Sequence, residues 1–127
     1  MAQTFYPALK YEDARGAIDY LVRTFGFRAL NSFEGDDGSV QHAELEFAGG
    51  VLMLGSGRPA GDRFPGGPTT IYVALDDPDS HHARTVEAGG EVVQELTDQP
   101  YGSREYAVRD AEGYVWSFGT YRPEVPG

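Results

Sequence analysis

The spacing of apolar and polar positions changes along the chain, and each change marks an element. Phe5, Tyr6, Leu9 and Tyr11 give the first stretch strand chemistry, which stops at Glu12-Asp13. Asp13 suits a helix N-cap. Ala14, Ala17, Ile18, Leu21, Val22 and Phe25 then recur at helical spacing, which predicts a helix with one apolar face. Gly26 stands where a left-handed glycine ends a helix. Phe27 to Glu34 predicts a strand, Gly35-Asp36-Asp37-Gly38 a hairpin turn, Val40 to Phe47 a strand, and Val51 to Leu54 a short apolar strand. The same order then recurs. Thr70–Leu75 predicts a strand, and Asp77 caps a helix that has Pro78 at its first position and ends at Gly89-Gly90. Glu91–Thr97, Arg104–Arg109 and Val115–Thr120 predict three further strands.

The recurrence is a duplication. Sliding the chain by 64 aligns residues 6–61 with 70–125 without a gap and gives 11 identities in 56 pairs. Chance would give about one in fifteen. The identities fall largely on punctuation: Asp13 with Asp77, Gly26 with Gly90, Gly38-Ser39 with Gly102-Ser103, Gly49 with Gly113, and Gly55 with Gly119. The fold class expected is therefore α+β, as two tandem β-α-β-β-β modules over 4–57 and 69–122, joined by a glycine- and proline-rich linker over 58–68. That linker lacks the Lys-[Ser/Thr] opening a helix that a phosphate-cradling loop needs.

Composition narrows the function. The 127 residues are one domain's length, and 40% hydrophobic with 24% charged residues is ordinary globular composition. Twenty acidic against ten basic residues give a net charge of −10. That disfavours nucleic acid as a partner, because a phosphate backbone needs a basic stripe, and it disfavours a polybasic membrane contact. No apolar run approaches the roughly 20 residues of a membrane span. There is no cysteine, so disulfides, thiolate metal sites and a cysteine nucleophile are excluded. The N-terminal stretch has no basic region followed by an apolar one, so a cytoplasmic location is expected.

The segments YPALKYED-ARGAIDYLVRTFGF, IYVALDDPDSHHARTVEAGGEV and DQPYGSREYAVRDAEGYVWSF carry a resemblance over nearly the whole chain. The sequence resembles the vicinal-oxygen-chelate superfamily, which holds glyoxalase I, extradiol dioxygenases, fosfomycin-resistance enzymes and bleomycin-binding resistance proteins. Pro7 and Pro100-Tyr101-Gly102 make it similar to the bleomycin-resistance-type branch. The resemblance implies U-shaped sheets around a cavity, and a homodimer. Metal-using members carry His, Gln or Glu at one point on the first strand and one on the last strand of each module. Here those points hold Tyr6, Met53, Thr70 and Ser117, which are too weak as donors for zinc, nickel or iron. No metal and no cofactor is expected.

Other residues offer binding chemistry. Alternation in HAELEF puts Ala43, Leu45 and Phe47 on one face and His42, Glu44 and Glu46 on the other, which either lines a cavity or is simply solvated. His81 and His82 are adjacent on a helix and point apart, so they do not chelate together, and His82 aligns with the core-facing Ile18. Trp116 and Phe118 are expected toward the helices. Tyr101 either packs on its own loop or offers a ring to a flat or cationic group, as the aromatic at this place does in the bleomycin-binding proteins. The expected cavity residues are Tyr6, His42, Glu44, Glu46, Met53, Thr70, Tyr101, Arg104, Tyr106 and Ser117. No Gly-x-Ser-x-Gly elbow is present, so no catalytic nucleophile is assigned. The reading is a metal-independent small-molecule-binding protein that sequesters an aromatic or cationic antibiotic-like compound. The alternatives are a lyase, isomerase or dioxygenase with unconventional residues such as His42 and Glu44, and a module with a regulatory or structural partner.

Overall fold

The computed structural model describes residues 3, 5–57 and 68–123. Contacts divide the chain into two units, Met1–Pro68 and Thr69–Gly127. The expected linker lies outside the described residues except for Pro68.

The first unit runs β1 (Ala8–Tyr11), α1 (Ala14–Tyr20), a π-helical turn (Leu21–Phe25), β2 (Arg28–Glu34), β3 (Val40–Phe47) and β4 (Gly50–Ser56). The second runs β5 (Thr70–Ala74), α2 (Pro78–Glu87), β6 (Glu91–Asp98), β7 (Arg104–Arg109) and β8 (Val115–Gly119). Each unit is one four-stranded mixed sheet, ordered β1-β4-β3-β2 and β5-β8-β7-β6. The pairs β1–β4 and β5–β8 are parallel and the rest antiparallel.

Punctuation residues do what their chemistry dictates. The Asp13 carboxylate accepts from the Gly16 amide at 3.0 Å, and Asp77 accepts from the Ser80 amide at 3.1 Å and the Ser80 hydroxyl at 2.7 Å. Gly26 ends the first helix at φ 83°. The expected single helix to Phe25 differs in its last turn, which widens to π geometry and carries Leu21, Thr24 and Phe25 into the core together. Thr24 Oγ1 is sealed there without a hydrogen-bond partner.

One face of each sheet packs under its helix. In the first unit Leu9, Tyr11, Ala43, Leu45, Leu52 and Leu54 are buried on that face. In the second, Tyr106, Val108, Trp116 and Phe118 are fully buried. Trp116 is tied at one end, since its indole N–H donates to the buried Asp110 at 3.0 Å. The other Asp110 oxygen accepts from the Glu112 and Tyr114 amides and closes the β7–β8 turn.

The two units differ in one register. The pairing of β1 with β4 and that of β5 with β8 match at the repeat spacing: Ala8 faces Met53, and Tyr72 faces Ser117. The next pairing does not. Ala43 lies opposite Leu54, but Ala107 lies opposite Ser117 and Tyr106 opposite Phe118. Two devices cause this. In β3 the register shifts between His42 and Val40, a bulge at Gln41. In β7–β8 the Asp110 turn joins Arg109 to Val115, whereas β3–β4 closes tightly from Phe47 to Gly50 through Ala48 at φ 52° and Gly49 at φ 87°. Side chains alternate with period two, so a one-residue slip turns β7 over relative to β3.

Candidate ligand-binding faces

In the first unit the sheet face away from α1 carries His42, Glu44 and Glu46, as alternation requires. Met53 lies opposite Glu44 in β4 and next to Ala8 in β1, and Tyr6 precedes Ala8 by two residues and is 42% exposed. The polar groups form chains across strands. Glu44 accepts from Nδ2 of the Asn31 side chain at 3.1 Å and stands 3.0 Å from His42 Nε2. These two bonds, that of His42 first, hold its carboxyl below the usual value. Glu46 is held down likewise, first by the Arg28 guanidinium at 3.0 Å and then by the Gly49 amide. Phe33, exposed, sets its ring 6.1 Å from that of His42.

In the second unit Thr70 and Ser117 sit on the face away from α2, and Ser117 is paired with Tyr72. Tyr101 lies in the β6–β7 turn, 60% exposed, and its hydroxyl donates to Glu105 at 2.9 Å. That carboxylate raises the Tyr101 hydroxyl's pKa.

Two expected cavity residues are placed on the helix side instead. Tyr106 is 0% exposed, and its hydroxyl lies 2.6 Å from His81 Nδ1 and 2.8 Å from Thr85 Oγ1, both on α2. Arg104 donates to Asp79 of α2 at 2.8 Å and to Asp98 at 3.1 Å, which raise its pKa. Tyr106 follows from the overturned β7, whereas Arg104 lies beyond the bulge position, where the repeats agree again: the Val40 amide donates to Ser56 Oγ and the Arg104 amide to Thr120 Oγ1. His81 and His82 flank Tyr106, and His82 bonds Glu95 at 2.9 Å, so the pair serves the interlayer of that unit.

The same turnover brings forward residues the sequence reading missed. Glu105 stands on the face away from α2, opposite Gly119, with Tyr72 beside it. A carboxylate in a strand facing a glycine is the signal that could have found it.

Two pockets in the first unit lie apart from most of these residues. One of about 220 Å³ sits between α1 and β2–β3, lined by Ile18, Ala29, Val40 and Ala43 with Arg15 at its edge. Another of about 690 Å³ adjoins the turn at Asp36 and Asp37. Of the expected site residues, Glu44 alone lines either of these two. The four family metal points hold a phenol, a thioether and two hydroxyls, which do not fit a divalent ion. Among the described residues no group of three His, Asp or Glu side chains is placed to hold one. No helix among them is long and apolar enough to cross a membrane.

A family model described as the Glyoxalase/Bleomycin resistance protein/Dioxygenase superfamily matches residues 6–118. An uncharacterized protein of Mycobacterium tuberculosis is 36% identical over 127 residues, covering 94% of this chain and 75% of its own. The crystal structure of TioX from Micromonospora sp. ML1 is similar at 38% identity and a TM-score of 0.79, covering 93% of this chain and 98% of that one. A fosfomycin resistance protein, FosX, from Listeria monocytogenes, complexed with Mn(II) and sulfate, shares the fold at 14% identity and a TM-score of 0.64, covering 96% and 94%.

Proposed function

The chain belongs to the glyoxalase/bleomycin resistance protein/dioxygenase superfamily, and from that membership we propose that it is a metal-independent small-molecule-binding protein. It sequesters an aromatic or cationic, antibiotic-like compound, acts as a homodimer and resides in the cytoplasm. The observation that carries this reading is the donor set at the family's metal points: Tyr6, Met53, Thr70 and Ser117. A protein without imidazole or carboxylate there keeps the fold's binding surface and lacks the Lewis acid of its metal-using relatives. The −10 charge favours cations at long range, and exposed aromatic rings at Tyr6, Tyr72 and Tyr101 suit flat ligands.

Calorimetric titration with bleomycin and a panel of planar aromatic cations tests it. Micromolar or tighter binding, weakened by salt, is the expected result. Near-stoichiometric nickel, zinc, iron or manganese surviving dialysis, together with a melting temperature that rises with that metal, would overturn it.

One observation favours a second reading, an isomerase or lyase. Glu44 bonds the Nε2 side of His42 and orients the ring on an exposed face, with Nδ1 outside that bond. Turnover of an acidic C–H substrate abolished by His42→Gln would establish it.

A further inference from the structure

Glu105 is 9% exposed, yet it has a single hydrogen bond among the described residues, from Tyr101 to Oε1. The neighbouring cations are engaged elsewhere: Arg104 with Asp79 and Asp98, and Arg122 with Asp76. Its second oxygen has no partner among those residues. The one sealed-off side-chain polar atom without a partner there is Thr24 Oγ1, so Glu105 Oε2 reaches the surface. A carboxylate has about four acceptor positions, and on Glu105 the described residues fill one of them.

The surroundings are built rather than incidental. Glu105 lies over Gly119, where an added Cβ would come 2.6 Å from Glu105 Cγ and 2.8 Å from Tyr72 Oη. Any other residue at 119 would fill the space that Glu105 and Tyr72 occupy. The Tyr72 hydroxyl donates to the Tyr121 carbonyl at 2.7 Å, and Ser103 Oγ accepts from the Tyr121 amide at 3.1 Å, which pins the strand end. Tyr101 and Tyr121 stand edge to face, centroids 6.1 Å apart, and Tyr72, Tyr101 and Tyr121 are all exposed. Tyr72 and Tyr101 thus adjoin the Glu105 carboxylate, and Tyr121 adjoins both of these tyrosines, all within the second unit.

We propose that Glu105, framed by Tyr72, Tyr101 and Tyr121, binds the protonated amine of an aromatic ligand. The ammonium donates to Glu105 Oε2 while the ring or the cation's methylene groups lie on a tyrosine face. This rests on the small-molecule reading above and names the ligand's chemical class. It also moves the recognition charge from Glu44 and Glu46, whose carboxylates are already held by His42, Asn31 and Arg28, to a carboxylate that is not.

The test is an amide-resolved NMR titration with phenethylamine and its near-isosteric neutral counterpart, 2-phenylethanol. Phenethylamine is expected to shift amides around 101–105 and 119–121 and to bind about tenfold or more tightly than the alcohol, a difference lost in Glu105→Gln. Tyr101→Ala, at an exposed turn position, is expected to weaken the amine severalfold in a protein that stays folded by its amide spectrum, so the test survives if Glu105→Gln folds poorly. Equal binding of amine and alcohol, unaffected by either substitution, would overturn the ammonium site and leave small-molecule capture standing. No binding of the amine, the alcohol or the planar cations of the calorimetric panel would overturn both.

Discussion

His42 and Tyr106 stand at the same place in the two repeats and point to opposite sides of their sheets. His42 is part-exposed beside Glu44 and Phe33, while Tyr106 is fully buried against Thr85 and His81 of α2. The first is surface chemistry and the second is core architecture.

Substitution should separate the two. Tyr106→Phe removes both hydroxyl contacts and leaves the buried Thr85 hydroxyl without its tyrosine partner, at a cost of about 1–3 kcal/mol. His42→Phe, on the opposite face of its sheet, should stay within about 1 kcal/mol. Urea denaturation of both variants checks the contrast. Equal costs would contradict the opposite facing.

Gly55 and Gly119 share a repeat position and should fail differently. A Cβ at Gly55 meets the Gln41 backbone carbonyl at 2.9 Å, because β3 bulges there, so Gly55→Ala must move backbone and should cost about 1–3 kcal/mol. At Gly119 the obstacles are the Glu105 and Tyr72 side chains, which can swing away. Gly119→Ala should therefore be the milder in melting temperature and the more damaging to amine binding. Thermal scans and the phenethylamine titration read the two effects separately.

Asp110→Ala should be among the costliest single changes. It strands the buried Trp116 N–H and two turn amides at once, about 2–4 kcal/mol by denaturant titration. A loss below about 0.5 kcal/mol would show that the turn is closed by other contacts.

Stability should fall in acid. Glu44, Glu46 and Asp77 all have folded carboxyl pKa values below their usual ones, by bonds from His42, from Arg28 and from Ser80 respectively. A depressed folded value adds stability that is present above the ordinary value of 4.5 for the glutamates and is lost as pH falls through the folded one. The urea midpoint should be lower at about pH 3 than at about pH 6, and Glu46→Gln should narrow the difference. A midpoint independent of pH over that range would contradict it.

Much of the fold was legible because it is written in residues with few alternatives. Asp13, Asp77 and Gly26 permit little besides caps and a left-handed helix end, and HAELEF alternates without ambiguity. REYAVR does not: Tyr106, Ala107 and Val108 are consecutive and apolar, so the pattern leaves the buried face open. The gapless repeat sets Ala107 against Ala43 and Tyr106 against His42, an equivalence the strands do not keep. The bulge that breaks this equivalence has no glycine of its own in β3. The space for it is made across the sheet by Gly55. The misplaced Tyr106 and the missed Glu105 follow from that one hidden residue of register.

A tandem duplication is exposed to its own similarity, since recombination between the copies can overwrite one with the other. Here a conversion tract carrying 104–109 onto 40–45 would place the arginine of 109 where Leu45 is 1% exposed. The reverse tract would set the glutamate of 44 where Val108 is 0% exposed. Either product buries a charge without a partner, and selection would discard it. The slipped strand thus makes a direct exchange of these segments costly between halves of identical topology.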